Sequence, residues 1–289
     1  MSPPPPTSAV APDTVRVACW LTFETEPDAA IALQLAVAPS AGLIVEENLE
    51  LTVDNVAVFP SAEINGAGGG RVHVVESGGG TLRLTYEATV APTVLTTGTG
   101  AGTLGPTYYE AEAIAALNQS AYCRSDFMAG FAASEFGSIR DQPDAAHQVA
   151  AWVFERLAYE PGSSGPLDSA VNTLLTNTGV CRDFAHLTIT LLRALGIPAR
   201  LVAVYAPGLN PMDFHAVVEA LGPSGWEVLD ATRLAPRSSL VRIATGRDAA
   251  DTAFVTTLRG KADLVATSVF AVTDGLLPVD DHLTVAHLA

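Results

Sequence analysis

The stretch "NTGVCRDFAHLTITLLRALGIPARLV", Asn177–Val202, decides how the rest of the chain is read. Asn177, Thr178 and Gly179 make a polar turn, and the periodicity predicts a helix that starts near Val180 or Cys181. Asp183 falls in its first turn, where a carboxylate suits the positive end of the helix dipole. Phe184, Ala185, Leu187, Thr188, Leu191, Leu192 and Leu195 form the face expected to be buried. Gly196 and Pro198 mark the stop. A cysteine thus stands at a helix N-terminus, where partial positive charge and unpaired N–H groups favour a thiolate. A free cysteine is more often a small buried hydrophobe, so Cys181 needs partners before chemistry is assigned to it.

Downstream, "ARLVAVYAP", "DFHAVVEAL" and "GWEVLDAT" read as three successive strands, the last two joined as a hairpin by the turn "GPSG". With the turn centred between Gly222 and Gly225, His215 and Asp230 have the same parity. They project from one side of the ribbon, opposite or diagonal to each other. An aspartate flanked by apolar residues is not expected to be buried unpaired. If the ribbon packs on the helix that starts at Cys181, thiol, imidazole and carboxylate meet: nucleophile, base and orienting acid. On the residues alone, this reading and plain packing stand level.

The flanking chain sets the context. From Thr14 to about Val90 the segments are short and alternating, as in "VRVACWLTF" and "TLRLTYEATV", with "GAGGG" and "SGGG" as turn punctuation. This is expected to be an antiparallel β-domain of sandwich type, residues 14–105. It follows a Pro-rich leader, residues 1–13, read as disordered, and precedes a linker around Ala91–Pro106. Residues 106–289 are expected to form an α+β catalytic domain whose first part is helical. In "DAAHQVAAWVFERLAYEP", Val149, Trp152, Val153, Phe154 and Leu157 make one stripe, with His147 expected at the surface. The loop "YEPGSSGP", Tyr159–Pro166, is either a plain connection or a cleft wall.

A formal net charge of −16 over 289 residues argues against nonspecific binding to nucleic acid or to an anionic membrane. Residues 1–120 hold 13 acids against 3 bases, whereas residues 181–247 hold 5 acids against 7 bases. The arginines near Cys181 are therefore candidate contacts for a carboxylate-bearing substrate. No signal peptide or apolar membrane span is visible, so a cytoplasmic location is expected. Three scattered cysteines suggest neither a disulfide framework nor a zinc site, and no metal or cofactor is expected.

"GVCRDFAHLTITLLRALGIPARLV" resembles the core motif of the transglutaminase-like superfamily, in its bacterial cysteine-peptidase branch. "DFHAVVEALGPSGWEVLDAT" resembles the family's His and Asp segments, "AYCRSD" and "TGRDAADTAF" its flanking ones. The resemblance implies a papain-like Cys-His-Asp core with Cys181 as nucleophile, His215 as base and Asp230 as orienting acid. Ala231 replaces the proline that often follows the acid. The implied activity is acyl transfer on amide bonds of a peptide or protein substrate, foremost hydrolysis of a peptide or isopeptide bond through a thioester. The alternatives are a protein-glutamine transglutaminase or other acyltransferase, and a non-catalytic peptide-binding module with a vestigial triad. Tyr159, Arg182 and Arg233 are the candidate substrate contacts. His186 is expected to be structural and Cys123 to be buried packing.

Overall fold

A computed structural model describes residues 14–91 and 111–288. The expected leader lies outside them, as does the expected linker except for Ala91, which ends a strand. Alternation in the N-terminal part produces two antiparallel sheets packed face to face. The larger has the order β15 (Ala262–Thr273), β1 (Val15–Thr25), β7 (Gly80–Ala91), β3 (Leu43–Val53), β4 (Val56–Val58), and the smaller β14 (Val255–Arg259), β2 (Ala30–Leu33), β6 (Arg71–Glu76), β5 (Ala62–Asn65). In β1, Val17, Cys19, Leu21 and Phe23 point inward; in β7, Leu82, Leu84, Tyr86 and Val90 do. Ile31 and Leu33 of β2 and Val75 of β6 answer from the smaller sheet.

The expected second part contributes its last two strands to these sheets. β15 pairs with β1 along its whole length, from Val15–Thr273 to Thr25–Ala262. β14 pairs with β2. The sandwich therefore draws on both flanks of the chain, and a portion with helices and its own sheet is inserted between them.

That portion is a four-stranded antiparallel sheet, β12-β11-β10-β13, with helices on one face. Its strands are β10 (Ala199–Tyr205), β11 (Phe214–Gly222), β12 (Gly225–Leu229) and β13 (Val241–Gly246). α1 (Ala111–Ala115), α2 (Ser125–Phe136), α3 (Ala145–Arg156) and α4 (Ala170–Thr176) surround α5 (Cys181–Ala194). A short parallel pair, β8 (Ala158–Tyr159) with β9 (Thr178–Gly179), leads into α5. The expected one-sided burial of α5 is corrected: every residue from Asp183 to Arg193 is buried, because helices cover the side turned away from the sheet. Gly196, at φ 81°, ends the helix in the left-handed region as expected. His147 is likewise not at the surface but buried, with Nδ1 3.9 Å from Glu227.

One face of this four-stranded sheet is shared between two coverings. Leu201, Val218, Ala220 and Leu229 pack with α5. Farther along, Tyr205, Val241 and Ile243 belong to the sandwich core. Tyr205 donates its hydroxyl to the carbonyl of Leu35 at 2.8 Å and stacks on Tyr86. The opposite face, Val202, Val204, Val217 and Val228, is covered by the C-terminal segment, where Val228 N–H donates to Ala286.

Candidate active site

Cys181 is the first residue of α5 and is half-buried. The turn before it is closed by Asp183, which accepts the Val180 N–H at 2.9 Å, and the backbone of Glu160 donates to Gly179 at 3.0 Å. The nucleophile candidate is thus fixed by a capped helix on one side and a short strand pair on the other.

The hairpin has the expected turn, with Gly222 opposite Gly225 and Val218 opposite Leu229. In that register His215 and Asp230 are diagonal neighbours on one side. His215 Nε2 and Asp230 Oδ2 are 3.0 Å apart, with both side chains almost wholly buried. The other carboxylate oxygen accepts the backbone N–H of Thr232 at 2.9 Å and its hydroxyl at 2.7 Å. Asp230 is therefore oriented before it meets the imidazole. Burial would raise its pKa, but His215 and Thr232 overcome this and hold it below the ordinary value. Burial would lower the pKa of His215, but the Asp230 carboxylate and the Cys181 sulfur overcome it and hold the imidazole up, at about 10. The second ring nitrogen, Nδ1, is buried without a hydrogen-bond partner among the described residues. Cys181 and His215 line the same cavity, of about 540 Å³.

The other candidates are distributed differently. Tyr159 stands on β8, opposite Gly179, with its ring against Phe184 at 5.9 Å. Burial and then the Cys181 sulfur push its phenol up to about 12, while the Cys181 backbone N–H acts the other way. The phenol is therefore beside both. Arg182 lines the cavity, but its guanidinium donates to Ser164 Oγ and Gly165 O, both at 2.8 Å, and so fastens the 159–166 loop. Arg233 is not part of the cavity lining; its guanidinium lies 4.1 Å over the Phe154 ring. Arg237 and Arg247 are paired with Asp280 and Asp251. His186 is buried, stacks on Tyr122 at 5.0 Å and accepts the Ala249 N–H through Nε2, as a structural histidine would. Cys123 is fully buried.

Sequence reasoning missed the cavity's sandwich side, Gln34, Val255 and Thr267. Only the pairing of β14 and β15 with N-terminal strands brings these residues there, and no local pattern announces it. Among the described residues, no helix is long and apolar enough to cross a membrane.

Comparison with known proteins bears on the fold. Residues 131–231 match the model of the Transglutaminase-like superfamily. An uncharacterized protein of Mycobacterium leprae is 32% identical over 116 residues, which is 36% of this chain and 40% of that protein. The match thus spans less than half of that relative's length. The crystal structure of a candidate cysteine protease from Cytophaga hutchinsonii is similar over 94% of this chain and 96% of its own, with a TM-score of 0.80 at 29% identity. From its fold and its matched segment, this chain carries a transglutaminase-like core at residues 131–231, set in an α+β architecture that extends over nearly all of it.

Proposed function

We propose that Cys181, His215 and Asp230 form a catalytic triad that hydrolyses a peptide or isopeptide bond through a thioester. One observation carries this reading. His215 commits Nε2 to a carboxylate that is itself oriented, while Nδ1 is buried, unpartnered, beside the sulfur at the head of α5. His186, a structural histidine, also has an unpartnered Nδ1, but its Nε2 accepts a backbone N–H, whereas that of His215 meets an oriented carboxylate and its ring shares a cavity with Cys181.

In this reading the Cys181 thiolate attacks the amide carbon, forming the C–S bond as the carbonyl pair moves to oxygen. The Cys181 N–H at the start of α5, which acts on the Tyr159 phenol in the resting protein, turns to that oxyanion and donates to it. The imidazolium of His215 gives its Nδ1 proton to the leaving nitrogen, and the C–N bond breaks to leave a thioester and a free amine. His215 then takes a proton from water as the oxygen attacks, releasing the acid and regenerating the thiolate. Asp230 holds the ring orientation and stabilises its charged form. We take Tyr159 as a substrate contact at the edge of the cleft, because it stands exposed on β8, opposite Gly179, which is two residues from the nucleophile along the paired strand. Arg182 acts by holding the 159–166 loop, and nothing favours a contact from Arg233.

Incubation with a peptide library, with and without an added primary amine, tests the proposal, with Cys181→Ala as control. New free carboxylates formed only by the wild type are expected. Capture of the acyl group by the amine in place of water would make the protein a transglutaminase. Absence of turnover in both arms would leave a peptide-binding module.

A further inference from the structure

We infer that the β-sandwich forms one side of an acyl-side specificity pocket, which takes a bulky, uncharged apolar side chain next to the scissile amide. The inference rests on Cys181 being the nucleophile. The cavity at Cys181 lies at the seam where the covering of the catalytic sheet passes from α5 to the sandwich. The catalytic sheet supplies Leu201, Phe214 and Ile243, and the sandwich and its approach supply Phe254, Val255 and Thr267. Phe214 and Phe254 stack across the seam, with ring centroids 5.1 Å apart. The carbonyl of Phe254 accepts the backbone N–H of Gln34 at 3.0 Å, and Val255 pairs with Leu33, so this side is fixed to the smaller sheet.

The chemistry of the lining selects the occupant. Apart from His215, the charged lining residues are Arg182 and Asp213. Arg182 is bound to the loop, and Asp213 is an exposed residue that accepts the Phe214 N–H at 2.8 Å. The one lining carboxylate, Asp213, is exposed, so a charged substrate side chain held among the buried lining residues would lose its hydration without a partner there. An apolar one gains from burial in a space within the usual range for small-molecule sites. On the inner side of the large sheet, β15 is buried at Val269 and Ala271 but exposed at Thr267, so the sandwich is open where it meets the cavity.

The glycine group "GAGGG" serves this seam. Gly68 has φ 60°, and a Cβ there would stand 2.6 Å from Thr245 of β13. A Cβ on Gly66 or Gly70 would come within 2.8 or 2.6 Å of Gln34 Nε2. The loop thus approaches the catalytic sheet at backbone distance and leaves room for the Gln34 side chain, which also lines the cavity. Turn punctuation in the sequence is a docking surface between the two layers in the fold.

The test is the rate at which dipeptidyl vinyl sulfones, carrying Phe, Leu, Asp or Lys next to the reactive group, label Cys181 in the full chain. Iodoacetamide on the wild type measures thiol reactivity separately. Labelling by the Phe and Leu probes at least tenfold faster than by the Asp and Lys probes is expected. In Val255→Asp and in Thr267→Asp, the second at an exposed position, the Phe-to-Lys ratio should fall at least threefold. Fast iodoacetamide labelling with equal rates for all four probes, or unchanged ratios in a folded variant, overturns the pocket and leaves the nucleophile in place. Slow iodoacetamide labelling overturns the nucleophile and the pocket with it.

Discussion

At the scale of single residues, three side chains were legible and their electrostatics were not. Parity in a hairpin brings His215 to Asp230, and a helix start presents Cys181. The balance that holds His215 charged depends on burial and on Thr232, which no spacing reveals. Asp230→Asn removes the charge that outweighs burial, so the imidazole becomes neutral at lower pH. We expect kcat/KM to fall by about 10²-fold or more. Alkylation of Cys181 at pH 6 should also slow, because a neutral ring no longer stabilises the thiolate; unchanged alkylation would show that Asp230 does not set the state of His215. His147 was misread because the element it meets, β12 with Glu227, is remote in sequence.

At the scale of elements, α2, α3, α5 and the three strands after α5 follow from periodicity and stop signals. The depth of α5 does not, since an amphipathic pattern does not tell how many layers cover a helix. The glycine group 66–70 was legible as a turn but not as a contact. Gly68→Ala combines a positive φ with a close approach to Thr245 and should destabilise the protein by at least about 1 kcal/mol, read as a lower Tm. The C-terminal segment is pinned by Arg237. Its almost fully buried guanidinium is paired with Asp280 and donates to the carbonyls of Val228 and Thr284. Asp280→Asn leaves that charge with only the more exposed Asp281, at 3.8 Å, and should cost about 2–3 kcal/mol in denaturant unfolding. Burial would raise the Asp280 carboxyl, but Arg237 overcomes this and holds it well below the ordinary value. Stability from this pair is therefore present above about pH 4, the ordinary carboxylate range. It is lost as pH falls through the lowered folded value, and the variant should lack that acid-dependent portion.

At the scale of the whole molecule, a sandwich followed by a catalytic domain was the natural reading of strands that come first and helices that come second. Order along the chain does not reveal that residues 255–273 return to pair with β1 and β2, since antiparallel pairing across more than 200 residues leaves no local mark. The consequence is mutual dependence. Tyr205, Val241 and Ile243 of the catalytic sheet complete the sandwich core, so residues 111–254 alone would expose that apolar surface. We expect that fragment to aggregate or to show no cooperative unfolding, while the full chain unfolds cooperatively. A stable, monomeric fragment would show that the two layers are independent.

The central claim is a thiolate at Cys181 sustained by a charged His215, and the pH dependence of iodoacetamide alkylation, followed at each cysteine by peptide mass mapping, tests it most directly. Cys19 and Cys123 serve as internal references, with thiols that burial pushes up to about 11 and about 12. Cys181 is expected to react at pH 6 at least about 10-fold faster than an ordinary exposed thiol such as free cysteine, and His215→Ala to abolish this advantage. Alkylation of Cys181 at pH 6 no faster than an ordinary exposed thiol, or unaffected by His215→Ala, would contradict it.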